Sequence, residues 1–151
     1  MSTGMSSLNE IEEAIQVIKN EGCEKILLFH CISGYPTPTS KANIRMVEIL
    51  REKFNLEVGL SDHTQSMTPA LVAISLGANA IEKHFTLNKK SGGLDDSFSI
   101  NPAELKNLVI ESKRAWKSKG KIFYGISKSE RSSIIFKRSI YASKNIKAGE
   151  I

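Results

Sequence analysis

Residues 25–60, KILLFHCISGYPTPTSKANIRMVEILREKFNLEVGL, decide the fold. The run from Lys25 to Cys31 is short and almost continuously apolar, which is typical of a strand buried on both faces of a parallel sheet. From Lys41 to Phe54 apolar residues recur near the helical period. A second strand is predicted from Leu56 to Leu60. A strand, a helix and a strand in this order predict a right-handed βαβ unit.

The same alternation continues on both sides of this unit. Before it, Ser7 and Glu10 form a capping box that opens a helix predicted over residues 8–21. Thr68, as N-cap, and Pro69, at the first helical position, open another helix. The later elements are this helix at 68–77, a strand at 80–85, a helix at 101–120, and a strand and turn at 139–151. The order predicts an α/β fold with a parallel sheet.

Composition excludes several classes of protein. The 151 residues include 40% hydrophobic and 25% charged residues, as in an ordinary globular domain. The net charge of +5 comes from dispersed lysines with no aromatic stacking platform between them, so a nucleic-acid partner is not expected. A signal peptide and a membrane-spanning run are absent from the sequence, and a cytoplasmic location is expected. Cys23 and Cys31 are predicted to be reduced, buried thiols.

Histidines stand at the tips of two successive predicted strands, His63 after one and His84 at the end of the next. Neighbouring strands are about 4.8 Å apart, so two neutral imidazoles there would make a divalent-metal site with open positions. Asp62 and Glu82 would either bind the metal or orient the imidazoles. The spacing alone slightly favours a structural alternative. In this alternative His63 caps a turn through hydrogen bonds, and His84 is a polar residue whose hydrogen bonds are satisfied.

Small hydroxyls occupy matching strand tips at Ser2, Ser33 and Ser61. Together with helix N-termini they suit a phosphate or a carboxylate, although serines at such junctions are mostly caps. The polar loop at 91–99 is a candidate lid or sugar-binding loop, with Asp95 as its candidate contact. An ordinary surface loop is the competing interpretation.

Alternation along a strand separates neighbouring side chains onto opposite faces. If Glu82 and His84 face the interior of the sheet structure, Lys83 faces the outer helices, and a Schiff-base role for Lys83 is excluded. The same argument excludes His30 and Cys31 as a nucleophile pair, because adjacent strand residues cannot form the necessary hydrogen bond.

Four strings resemble the N-acetylneuraminate synthase family in order and spacing: STGM at 2–5, CISGYPTP at 31–38, GLSDHT at 59–64 and IEKHFT at 81–86. GGLDDSFS at 92–99, Tyr124-Gly125 and FKRSIY at 136–141 look like the pseudaminic acid branch. The resemblance implies the C-terminal half of a TIM (β/α)8 barrel at 1–120. It also implies a linker and the start of an antifreeze-like domain at 121–151.

Roles follow from the same resemblance, residue by residue. His63 and His84 match metal ligands for Mn, Mg or Co, and Glu82 matches a catalytic acidic residue near the metal. The remaining matches are to phosphoenolpyruvate-binding positions (Ser2, Ser33, Ser61) and to sugar-binding positions (Tyr35, Asp95). At Ser33, sialic acid synthases carry Asn.

The implied reaction condenses phosphoenolpyruvate with the aldehyde of a 2,4-diacetamido-trideoxyhexose, giving a nonulosonic acid and phosphate. The implied partners are these small molecules, with neither nucleic acid nor membrane, and the full-length protein is expected to be a homodimer. The general base lies outside these residues, so we expect no synthase activity from the isolated chain. The alternatives are an N-acetylneuraminate synthase using N-acetylmannosamine and a non-catalytic half-barrel that needs a partner half.

Overall fold

The computed structural model describes residues 1–150, which form two compact units, Met1–Gly120 and the residues from Lys121 on. The first unit alternates helices and strands. Its elements are α1 (Leu8–Asn20), β1 (Leu27–Cys31), α2 (Met46–Phe54), β2 (Glu57–Ser61), α3 (Thr68–Ser75), β3 (Ile81–Glu82) and α4 (Pro102–Ser118). Among the described helices, none has the length and apolar character needed to cross a membrane.

The three strands form one parallel sheet in the order β1-β2-β3. In the register, Cys31 lies opposite Ser61, and Ser61 lies opposite Glu82, so the carboxyl ends of all three strands meet at one edge. Two isolated parallel bridges are present in addition to these strand pairs, one between Ser2 and Phe29 and the other between Phe85 and Ile100. The predicted α/β class with a parallel sheet is therefore confirmed.

The core lies between this sheet and the helices that cover it. Leu28, Val47 and Val58 are completely buried, and Leu50 is almost so. Gly59 lets the central strand approach its neighbours, because a Cβ there would lie 2.7 Å from a ring carbon of Phe29 and 2.8 Å from the Ala80 carbonyl. Ile11 and Ile15 place one face of α1 against the same core. This burial of apolar surface holds the strand tips in a fixed relation.

Capping boxes begin two helices where the sequence predicts them. The Ser7 hydroxyl accepts a hydrogen bond from the Glu10 backbone N–H, and the Glu10 carboxylate accepts one from the Ser7 N–H. Asn101 and Glu104 form the same reciprocal pair at α4. Each box satisfies two backbone donors that a helix N-terminus otherwise leaves unpaired.

Three predicted boundaries are wrong. The helix predicted from residue 41 begins only at Met46, because Asn43 has a left-handed backbone (φ 49°) that separates α2 from a short 3-10 turn at Thr39–Lys41. Thr68 is the first helical residue and not the N-cap, which is Met67. The strand predicted at 80–85 is regular only at Ile81–Glu82, since His84 turns away to accept a hydrogen bond from Ile100 N–H at 2.8 Å.

One burial prediction and one predicted strand also differ from the structure. Cys23 is exposed, whereas Cys31 is buried as expected. On α4 only Leu108 is buried, and Trp116 is 67% exposed. In the second unit the chain forms a 3-10 helix at Lys128–Phe136, and the strand predicted at 139–151 does not form in its described part. A strand needs a neighbour to pair with, and residues 139–150 pair with none.

His30 is a buried structural residue. Its Nε2 lies 2.8 Å from the Ala42 carbonyl oxygen, which ties β1 to the loop before α2. Burial lowers the pKa of His30, and the hydrogen bond to Ala42 opposes this shift. The ring is thus held neutral with a proton on Nε2. This confirms that His30 and Cys31 do not form a nucleophile pair.

Candidate active site

His63 follows the end of β2 and is almost completely buried. Its Nδ1 lies 2.9 Å from the carbonyl oxygen of Ile32 and 3.8 Å from the Cys31 sulfur. A carbonyl oxygen only accepts hydrogen bonds, so we assign the ring proton to Nδ1. Nε2 is then left with a lone pair available to a metal ion or a substrate.

The ring of His84 lies beside a carboxylate. Its Nδ1 lies 3.2 Å from Oδ2 of Asp95, and the two side chains are 31% and 57% exposed. The Ser99 hydroxyl donates to the Asp95 carbonyl oxygen at 2.7 Å, which fixes the loop that presents this carboxylate. A carboxylate that accepts from one ring nitrogen leaves the other free for a metal. The sequence offered Asp62 and Glu82 for this orienting role, and the structure gives it to Asp95.

The two imidazoles face each other at the strand tips. Their ring centroids are 5.1 Å apart, and their planes are inclined at 74°. The Tyr35 ring lies 4.3 Å from that of His63, and the buried Phe98 ring lies 5.2 Å from that of His84. The Tyr35 ring also lies 5.6 Å from His84 and 5.9 Å from Phe98, so the four rings form one cluster. Phe98 was missed in the sequence, where its only signal is an aromatic residue in a mostly polar loop.

Glu82 and Ser61 lie on the same side of the strands as the histidines, as alternation predicts. The buried Ser61 hydroxyl donates to Oε1 of Glu82 at 2.7 Å, while Glu82 itself is exposed. The carboxylate therefore has a fixed position and keeps its second oxygen free of this bond. Such a group can give or take a proton at a bound molecule.

Lys83 and Asp62 point to the opposite side. The Lys83 ammonium lies 2.8 Å from Oδ2 of Asp62, and these side chains are only 4% and 1% exposed. An ammonium in this buried pair cannot reach a substrate at the histidines. The structure thus confirms that Lys83 is not placed for a Schiff base.

The three predicted phosphate-binding serines are in different settings. Ser2 is exposed and pairs with Phe29 through its backbone. Ser33 packs closely against Gly4, where a Cβ would lie 2.5 Å from the Ser33 hydroxyl. Ser61 already uses its proton on Glu82. Their joint binding of a phosphate stays a prediction.

The donor set fits a weakly caged divalent ion. Within residues 1–150 no three His, Cys, Asp or Glu side chains converge to enclose a metal. Two imidazoles with free Nε2 atoms are nevertheless suitable ligands for Mn, Co or Zn, and oxygen ligands from substrate and water suit the remaining positions. The arrangement would hold an ion that remains open to a reacting molecule.

Comparisons with known proteins agree with one another. Residues 1–124 match the model of the NeuB family. The N,N'-diacetyllegionaminic acid synthase of Campylobacter jejuni is 43% identical over 100% of this chain and 46% of its own length. A pseudaminic acid synthase of the same species is 36% identical over 100% of this chain and 44% of its own.

Among solved structures, the sialic acid synthetase of Leptospira borgpetersenii matches with a TM-score of 0.79 and 34% identity. The match covers 89% of this chain and 47% of the synthetase. The chain therefore spans about half the length of the relatives it matches, and it corresponds to part of the synthase fold. The family model matches residues 1–124, and the legionaminic acid synthase aligns with the whole of this chain. The chain therefore belongs to the NeuB family.

Proposed function

We propose that the intact protein condenses phosphoenolpyruvate with the open-chain aldehyde of an N-acetylated amino sugar, giving a nonulosonic acid and phosphate. The observation that carries the proposal is the pair of imidazoles 5.1 Å apart, with Nδ1 of His63 hydrogen-bonded to the Ile32 carbonyl and Nδ1 of His84 3.2 Å from Oδ2 of Asp95. In a NeuB-family chain, this pair supports a metal-assisted reaction at an aldehyde.

His63 and His84 would hold the divalent ion through Nε2. When bound, the ion supplies electrophilic polarisation of the sugar carbonyl. Oδ2 of Asp95 lies 3.2 Å from Nδ1 of His84, and the Ile32 carbonyl accepts a hydrogen bond from Nδ1 of His63 at 2.9 Å. These two neighbours would turn both rings so that each Nε2 faces a bound ion.

Glu82 is the residue proposed to move protons. The condensation requires a proton at the oxygen of the former aldehyde, and the water that adds to C2 of the enolpyruvyl group must lose one. Glu82 lies on the histidine side and is anchored by Ser61. Its carboxyl group would give a proton to the oxygen of the former aldehyde, while the general base expected outside these residues would take the proton of the water. Ser2, Ser33 and Ser61 would contact phosphoenolpyruvate.

Tyr35 and Asp95 would bind the sugar. Tyr35 is 54% exposed beside His63, and Asp95 is 57% exposed beside His84, so both remain accessible to a molecule at the metal. The sugar we propose is a 2,4-diacetamido-trideoxyhexose of the pseudaminic acid type. A second candidate is the sugar used by legionaminic acid synthases, because the legionaminic relative is 43% identical and the pseudaminic one 36%.

A substrate panel tests this function. The intact protein, loaded with Mn²⁺, is incubated with phosphoenolpyruvate and, separately, with each diacetamido-trideoxyhexose epimer and N-acetylmannosamine. We expect phosphate release and a nine-carbon keto acid, detected by mass spectrometry, with one of the diacetamido sugars. Product from N-acetylmannosamine alone would identify a sialic acid synthase. Absence of phosphate release with every sugar would refute the proposal.

Asp95→Asn separates orientation of His84 from binding of the sugar. The amide can place an N–H toward Nδ1, which removes the preference for the Nδ1–H form, so we expect Mn²⁺ affinity to fall about 10–100-fold even without sugar. Titration calorimetry with Mn²⁺ measures this. Asp96→Asn is the matched control, because the neighbouring, half-buried Asp96 carboxylate accepts from the Gly93 N–H and an Asn side-chain oxygen can still do so. Unchanged affinity in Asp95→Asn would show that Asp95 does not orient the imidazole.

A further inference from the structure

A buried ion pair joins the two chain segments that carry the histidines. Asp62 immediately precedes His63, and Lys83 immediately precedes His84. The Lys83 Nζ and Asp62 Oδ2 atoms are 2.8 Å apart, with side-chain exposures of 4% and 1%. The pair therefore bridges the tips of β2 and β3 on the side of the sheet that faces away from the imidazoles.

The ion pair is also saturated with hydrogen bonds. Lys83 Nζ donates to the carbonyl oxygens of Thr64 at 2.7 Å and Ser66 at 3.4 Å. The other oxygen of Asp62 accepts from the Thr64 N–H at 2.9 Å, and the Asp62 N–H donates to the Glu82 carbonyl at 2.8 Å. The loop at 62–66 is thus wrapped around one ammonium group that belongs to the neighbouring strand tip.

Charge burial of this kind is a costly way to gain stability. Removing two charges from water offsets most of their attraction, and apolar residues of similar volume commonly stabilise a fold as well or better. Charge-assisted hydrogen bonds do provide defined directions and lengths, which apolar contacts do not. A second pair, Lys89 with Glu104 at 2.7 Å, lies at the surface with exposures of 36% and 46%.

We propose that Asp62 and Lys83 are positioning residues that set the distance and relative orientation of the His63 and His84 rings. Each acts through its chain neighbour, because residues alternate between the faces and a shift of either charged side chain moves the adjacent ring. The consequence for metal binding rests on the function proposed above. The consequence for ring geometry does not depend on it.

The test uses a double variant of the intact protein, Asp62→Asn with Lys83→Met. Removing both charges avoids leaving a lone buried charge, which would be strongly destabilising. Asp62→Glu is the second variant, because it keeps the negative charge and lengthens the side chain by one methylene group. Lys89→Met, which breaks the exposed pair, is the matched control.

Two measurements are made on each folded variant, as judged by a cooperative thermal transition. In the metal-free protein, nuclear Overhauser contacts between the ring protons of His63 and His84 report their geometry. Mn²⁺ titration reports the metal site. We expect the ring contacts to weaken or disappear in the double variant and Mn²⁺ affinity to fall about 10–100-fold. Asp62→Glu should change both in the same direction by less, and Lys89→Met should change neither.

Unchanged ring contacts and unchanged Mn²⁺ affinity in a folded double variant would overturn the inference. If that variant does not fold, the same two results in Asp62→Glu overturn it. A wild-type protein that binds no Mn²⁺ would refute the proposed metal chemistry, and the ring contacts would then decide the positioning role by themselves.

Discussion

His63→Ala and His84→Ala, each made in the intact protein, are expected to abolish metal-dependent turnover while leaving folding largely intact. Each change removes one of two imidazoles, and residues 1–150 bring no third His, Cys, Asp or Glu close enough to replace it as a ligand in a cluster. His84 is partly exposed at the strand tips, and His63, although almost completely buried, is not part of the apolar core. The loss should therefore appear in activity and metal affinity much more than in stability.

Phosphate release from phosphoenolpyruvate, measured over a range of Mn²⁺ concentrations, checks this expectation. The matched control is His30→Gln, a change in the remaining histidine, whose Nε2 is used by the Ala42 carbonyl. Its Mn²⁺ affinity should stay at the wild-type value. Full activity in either His63→Ala or His84→Ala would refute the assignment of the metal ligands.

Glu82→Gln is expected to lower kcat by about 10²–10⁴-fold, the range typical of a lost general acid or base. The amide oxygen can still accept the Ser61 hydroxyl, which lies 2.7 Å from the Glu82 carboxylate. The local structure should therefore persist while the titratable group is lost. Steady-state kinetics with saturating Mn²⁺ measure the effect, and KM should change much less than kcat.

Glu57→Gln is the control for this change, because Glu57 is an exposed carboxylate at the opposite end of β2. It should leave kcat unchanged. Wild-type kcat in Glu82→Gln would show that Glu82 takes no part in proton transfer. A rise in KM alone would assign it to substrate binding.

Local signals in the sequence were sufficient for most of the fold. The helices predicted to open at Ser7 and Asn101 begin there in the structure, because the residues that cap each helix lie within one helical turn. Strand parity was equally reliable. It placed Glu82 and Lys83 on opposite sides, and the structure pairs the first with Ser61 and the second with Asp62.

Contacts across loops could not be predicted in this way. Asp95 reaches His84 only because the loop between them folds back and Ile100 pairs with Phe85. Phe98 likewise enters the site through this loop. A left-handed residue such as Asn43 breaks a helix that the apolar pattern alone would continue. The contacts of Asp95 and Phe98 depend on how a loop folds back in three dimensions, and the break at Asn43 depends on one backbone angle. The spacing of apolar residues predicts neither kind of feature.

The central claim is that His63 and His84 together hold a divalent ion, and electron spin echo spectroscopy tests it most directly. The intact protein is labelled with ¹⁵N-histidine, loaded with Mn²⁺ and compared with the two single alanine variants. We expect modulation from two imidazole nitrogens in the wild type and from one in any variant that retains the ion. Bound Mn²⁺ without histidine modulation in the wild type would contradict it.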